Sequence, residues 1–346
     1  MGWRSFQMFD LQKMGYVRMG AAVPDVQVAN PQANVSELLR WIRDAEQSSV
    51  NVLVFPELCL TGYTCADLFH QRLLLESTQE ALSTLLQATQ KSDMVLMVGA
   101  PVELDNQLFN CAVALHRGKI LGVVPKTFLP NYNEFYEKRW FSPADGKLSD
   151  TVTLCGQEAP FGQNLLFQER NIPLCMGIEI CEDLWMPIPL SSYHALYGAN
   201  VMVNLSASNE LVGKADYRQA LVLQQSARCL SGYIYVSAGP SESTTDLVFG
   251  GHAMIAENGN LLKEQRFAHS LVVADVDLDK LRNERKKANS FMGSVPPREY
   301  RTILFSFADK PAPIAPKDLR RFIDPYPFVP GDKSASSGRW LEFPAV

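Results

Sequence analysis

Short apolar runs alternate along this chain with amphipathic segments of helical period, and that alternation constrains the fold more than any other feature. Tyr16–Val23 reads as a first buried strand. A helix follows with Val35, Leu38, Leu39 and Ile42 on one face, Asn34 as its expected N-cap and Glu37 three residues on, as in a capping box. Residues 52–55 form an apolar strand stopped by Pro56, which has no N–H to give a ladder. A second helix is expected from near Ser77, with Glu80 at the capping-box position and Leu82, Leu85 and Leu86 facing inward. Strands are expected at 94–98, 110–115 and 120–124, the last two flanking a hairpin turn at 116–119. Further on come a strand at 173–180, a helix at 191–197, a strand at 201–205, a helix at 217–230 and a strand at 233–236. Residues 251–256 and 261–264 pair across Asn258-Gly259, a dipeptide suited to the positive φ of a tight hairpin, and 272–276 completes the series. Strands alternating with helices, with hairpins between them, define an α/β chain with a mixed sheet or two sheets and helices on the outer faces.

Composition narrows the function classes. The 346 residues leave room for one large domain or two ordinary ones. At 47% hydrophobic and 20% charged residues, the chain can fill a core and is not a disordered sequence. A net charge of -5 lacks the basic balance of a nucleic-acid binder, so no nucleic-acid partner is expected. No apolar run approaches the ~18–20 residues that span a bilayer, and the N-terminus lacks the apolar core of a signal peptide. A cytoplasmic location without membrane attachment is the expectation. The 7 cysteines include no CxxC pair, which suits reduced thiols and predicts no metal site. From about Lys310 onward prolines crowd the chain, and that region reads as a linker or tail.

Working residues in α/β proteins collect beyond the carboxyl ends of strands. Glu57 follows the 52–55 strand, Lys126 follows 120–124 and Cys181 follows 173–180. Taken singly these are a solvated carboxylate, a surface cation and a small hydrophobe. Together they form a coherent set: a sulfur nucleophile, a carboxylate to take its proton and later activate water, and an ammonium to stabilise thiolate and oxyanion. That is acyl transfer through a thioester, with no histidine required. Between residues 125 and 143 the pattern breaks into a long stretch rich in aromatic residues, Asn and Pro, and a connection of that length is more often functional than idle.

Phe55-Pro56-Glu57, Pro125-Lys126 and the run from Glu179 to Trp185 resemble, in order and spacing, the three catalytic blocks of the nitrilase, or carbon–nitrogen hydrolase, superfamily. The runs 58–63, 129–135, 204–208 and 243–248 resemble more narrowly the glutaminase domain of bacterial glutamine-dependent NAD synthetases. The resemblance implies a nitrilase-type α-β-β-α four-layer sandwich over residues 14–290, with 291–346 a linker or tail. It implies Cys181 as nucleophile, Glu57 as general base and Lys126 as charge stabiliser. It further implies that Tyr132, Glu182, Ser208 and Lys214 bind L-glutamine. Lys214 stands where relatives can carry Arg, and a point charge there gives up the bidentate fork. Glu182 is expected to read the substrate ammonium and to lend its backbone N–H to an oxyanion hole. Tyr63 and Trp185 are expected as pocket walls.

No Ser-Gly-Gly-x-Asp-Ser type phosphate loop and no Walker-type run occurs in these residues. The resemblance therefore implies that ATP and deamido-NAD would bind only a synthetase domain or subunit outside this chain, and that glutamine hydrolysis itself needs no cofactor. It also implies a homo-oligomer. The expected activity is hydrolysis of glutamine to glutamate and ammonia. The alternatives left open are an amidase for another small amide and a catalytically silent domain.

Overall fold

The computed structural model describes residues 10–291, 293, 299–308 and 318–323. The chain begins with β1 (Tyr16–Val23), α1 (Pro31–Gln47), β2 (Val52–Val54), α2 (Arg72–Ala88), β3 (Val95–Leu104), β4 (Gln107–His116) and β5 (Lys119–Pro125). A small hairpin, β6 (Thr151–Leu154) and β7 (Gln157–Pro160), leads into β8 (Leu165–Glu169), β9 (Cys175–Ile180), α3 (Leu190–Leu196), β10 (Val201–Ser206), α4 (Lys214–Arg228) and β11 (Gly232–Ser237). Then come β12 (Ala253–Glu257), β13 (Asn260–Gln265), β14 (Ser270–Asp277), α5 (Leu278–Lys287) and β15 (Arg301–Phe305).

Two mixed sheets result, with strand orders β14-β1-β2-β3-β4-β5 and β13-β12-β11-β10-β9-β8-β15. Side-chain alternation along each strand decides what lies on either face. On β1, Met19, Ala21 and Val23 face inward and pack with Ile178, Ile180, Val203 and Val236 of the second sheet. Ala22, on the opposite face, packs with Leu38, Ile42, Leu82 and Leu85 of α1 and α2. On the far side, Met202, Tyr233 and Tyr235 meet Ala195 of α3 and Val222 of α4. The layers are helix, sheet, sheet, helix: the nitrilase-superfamily fold. Cutting one large side chain from this double core costs about 2–5 kcal/mol.

Three expectations are corrected. α1 starts at Pro31, not after Asn34. Asn30 is the N-cap, its side chain accepting from the Ala33 N–H, and Pro31 brings a φ already suited to the first helical turn. Asn34 is instead buried, its side chain bonded to both the N–H and the carbonyl of Gln27 and to the Leu60 carbonyl. α2 starts at Arg72, five residues before Ser77, on an N-cap (Gln71) with no side-chain bond. Residues 301–305, expected to lie in a linker, form β15, which pairs in parallel with β8 and adds Phe305 to the inter-sheet core. An alternating five-residue edge strand with one buried residue leaves little apolar signal. Residues 318–321 are also docked: Arg18 bonds Asp275 and the Asp318 carbonyl, and Arg321 bonds Glu257. The tail expected at 334–346 lies outside the described residues.

Candidate active site

Glu57 sits in the turn that follows β2 and Pro56. The turn is pressed against β3 so closely that a Cβ on Gly99 would lie 2.2 Å from the Leu58 nitrogen and 2.5 Å from the Pro56 carbonyl oxygen. Leu58 adopts φ of 51° to complete the turn. Lys126 follows the last residue of β5, and its N–H donates to the Asn110 carbonyl on β4 at 2.8 Å. The two side chains are fully buried, and Lys126 Nζ donates to Glu57 Oε1 at 2.7 Å. Asn110 Nδ2 donates to the same oxygen at 2.6 Å. The ends of β2 and β5, far apart in sequence, are thus brought together by one sheet.

A residue the sequence reading did not select completes the group. Glu137 accepts from Lys126 Nζ at 2.6 Å and from the Tyr63 hydroxyl at 2.8 Å. Tyr63, expected only as a wall, therefore touches the charged cluster. Glu137 lies in the aromatic stretch, where Phe135 and Phe141 are buried with Phe69, Leu129 and Phe249 in a small core of their own. The run Tyr136-Glu137-Lys138-Arg139 looks like a solvated charge cluster, and only the unusual length of the loop signalled otherwise. Burial pushes the Glu137 carboxyl up, Lys126 opposes that and Glu57 adds to it. Burial disfavours the Lys126 ammonium, but Glu137 and Glu57 outweigh it and hold its pKa well above the ordinary lysine range. With two of its three hydrogens given to carboxylates, Nζ keeps one donor for a substrate oxygen.

Cys181 opens the single helical turn Cys181–Leu184 at the end of β9. Its φ is 44°, a left-handed conformation that costs an L residue about 1–2 kcal/mol. Its thiol is buried, which raises its pKa. Glu57 and Glu137 raise it further, while Lys126 and the Ala207 backbone hydrogen bond lower it. The nucleophile candidate therefore rests as a neutral thiol in the combined field of the cluster. The thiols of Cys59 and Cys65 are also raised, mainly by burial, that of Cys65 to about 12, and both lie in packed surroundings.

The four expected binding residues lie near Cys181: Glu182 follows it, Ser208 follows Ala207, whose backbone bonds the Cys181 thiol, and Tyr132 and Lys214 feel its charge. Tyr132 donates its hydroxyl to Glu182 at 2.8 and 3.0 Å to the two carboxylate oxygens. Lys214, at the start of α4, donates to Asn209 and lies 5.2 Å from the Trp185 ring centre and 5.8 Å from that of Phe135. Burial lowers its pKa, and Cys181, Glu134 and Glu182 are among the charges acting on it. The Ser208 N–H donates to the Ser237 hydroxyl at 3.0 Å, yet its own hydroxyl is buried with no hydrogen-bond partner among the described residues. These residues offer a carboxylate held by Tyr132, an ammonium beside two aromatic rings and a buried serine hydroxyl. Among the described residues no group of three or more His, Cys, Asp and Glu could hold a metal, and no helix is long and apolar enough to cross a membrane.

The double-sheet sandwich with this cluster at its strand ends is the architecture of an amidase-type hydrolase. The carbon-nitrogen hydrolase family matches residues 18–286, and the chain belongs to that family. It is 41% identical over 330 residues to the glutamine-dependent NAD(+) synthetase of Mycobacterium tuberculosis, covering 92% of this chain and 48% of that one. The corresponding Mycobacterium leprae protein is 39% identical over 333 residues, covering 94% and 48%. The chain thus spans about half the length of these curated relatives. A crystal structure of a glutamine-dependent NAD(+) synthetase from Cytophaga hutchinsonii superposes with a TM-score of 0.67 at 29% identity, covering 75% of this chain and 43% of that one. The NitN amidase from Nesterenkonia, 18% identical, shares the fold with a TM-score of 0.62, covering 79% and 98%.

Proposed function

We propose that this chain is a glutamine amidohydrolase that supplies ammonia to a synthetase domain or subunit for the amidation of deamido-NAD. The observation that carries the reading is the buried group of Glu57, Lys126 and Glu137, whose charges act on Cys181. Glu57 takes the Cys181 proton as Sγ attacks the side-chain amide carbon of glutamine. The oxygen gains negative charge and is stabilised by the remaining Lys126 donor. The tetrahedral intermediate collapses, the proton passes to the leaving nitrogen, and ammonia departs from a γ-glutamyl thioester. Glu57 then deprotonates water, which attacks the thioester carbon; the bond to Sγ breaks, the sulfur takes the proton back from Glu57, and glutamate is released.

Lys214 and Ser208 bind the substrate carboxylate in this reading, and Glu182, steadied by Tyr132, binds its ammonium. Chemistry that develops charge beside two carboxylates needs the ammonium between them, which gives Lys126 its electrostatic role. We place the chain in the reducing cytoplasm, in keeping with 7 unpaired cysteines. We also propose that the chain forms a homo-oligomer. ATP and deamido-NAD are assigned to the synthetase partner. The purified chain, given glutamine and a panel of other amides, should release ammonia fastest from glutamine. Faster turnover of a simple aliphatic amide overturns the substrate assignment.

A further inference from the structure

The two halves of the cluster come from different sheets. Lys126 leaves the first sheet at β5, and Cys181 leaves the second at β9. One side chain bonds to both exits. Asp183 is 1% exposed. Its Oδ2 accepts the N–H of Ile180, the residue before Cys181, at 2.9 Å. Its Oδ1 accepts the N–H of Phe128 at 2.8 Å and that of Thr127, the residue after Lys126, at 3.2 Å.

We propose that Asp183 is a positioning residue that sets the Cys181 thiol against the Lys126 ammonium by holding the backbone beside each. The proposal rests on the reading of Cys181 as nucleophile. Two physical points support it. Cys181 is held at a φ of 44°, and a residue stays in that region only when its surroundings over-determine it. Ile180, pinned by Asp183, fixes the approach to that strained residue. Second, the bonding pattern needs acceptors in two directions. A carboxylate has an acceptor oxygen for each exit, whereas an amide of the same shape has one oxygen and an NH2 that would face backbone donors. Burial pushes the Asp183 carboxyl up, and the Ile180 and Phe128 amides with the charge of Lys126 oppose that push, so the clamp and the catalytic cation are electrostatically linked. Lys126 lowers the thiol pKa, and a displaced exit weakens that effect.

The test is Asp183→Asn in the full chain, with two readings on folded protein. The first is glutamine turnover. The second is the pH dependence of Cys181 alkylation by iodoacetamide, followed on the Cys181 peptide by mass spectrometry. A buried backbone N–H left without its acceptor predicts kcat lower by roughly 10–100-fold, with KM changed much less, and alkylation moved to higher pH. Asp183→Ser, smaller and with one acceptor, gives the same readings if the Asn variant does not fold. A folded variant with wild-type kcat and the wild-type alkylation profile overturns the proposal. So does an activity loss that matches the unfolded fraction while the folded molecules alkylate as wild type. Failure of the unsubstituted chain to hydrolyse glutamine counts against the substrate assignment instead, and the alkylation profile still tests the clamp.

Discussion

Lys126 Nζ and Glu137 Oε1 lie 2.6 Å apart in a site where neither side chain is more than 1% exposed. Glu137 also receives the Tyr63 hydroxyl, so Lys126 is fixed from two sides by carboxylates that reach it from the 56–58 turn and from the aromatic loop. An unpaired charge in such a site is costly, and removing one partner of a buried pair typically costs about 3–5 kcal/mol. Glu137→Gln keeps the shape and an acceptor but removes the charge. It should lower kcat by roughly 10–100-fold with a small change in KM, as steady-state ammonia release will show. An equal rise in KM with unchanged kcat contradicts this role.

Lys214→Met tests the substrate cradle. Loss of a charged hydrogen bond to the carboxylate should raise the KM for glutamine by roughly 10–100-fold. A γ-amide lacking the α-carboxylate should be turned over by variant and parent with similar KM. Equal effects on both substrates place Lys214 outside carboxylate binding.

Gly99→Ala tests the packing that shapes the Glu57 turn. The new Cβ would lie 2.2 Å from a backbone nitrogen, so the turn or β3 must move. Overpacking of this kind costs about 1–3 kcal/mol, measurable as a lower denaturant midpoint. Wild-type stability and wild-type activity in this variant contradict the close approach.

A pH dependence of stability follows from Glu242. This buried carboxyl accepts the Tyr63 N–H at 2.7 Å, and its other oxygen has no partner among the described residues. Burial, with Glu57 adding to it, pushes its pKa up to about 8 from 4.5. The folded state therefore holds a proton that the unfolded state has lost, and stability from this group falls as pH rises from about 4.5 to 8. Glu242→Gln mimics the protonated form. Its Tm should fall less steeply than that of the parent across this interval. Parallel curves for the two proteins contradict the raised pKa.

Much of this arrangement was legible in the chain. The inter-sheet strands are apolar on both faces and announced themselves as runs, and the strand-end rule selected Glu57 and Lys126, which the structure puts in contact. What the sequence hid has physical reasons. Glu137 and Asp183 are acidic residues beside other charges or a catalytic motif, and their burial depends on aromatic and backbone packing that no local pattern encodes. β15 and the β6–β7 hairpin are short edge elements whose half-exposed residues carry little hydrophobic contrast. α1 was misplaced because Asn34 and Glu37 imitate a cap, while the Asn30-Pro31 pair one turn earlier is the better start.

In the proposed reaction Cys181 carries the acyl group. The most direct measurement is mass spectrometry of the full chain, acid-quenched during glutamine turnover and digested. The expected result is a peptide bearing one γ-glutamyl group on Cys181, discharged by hydroxylamine, and none in Cys181→Ala, which should also release no ammonia. An adduct on another residue, or ammonia release by Cys181→Ala at the parent rate, contradicts it.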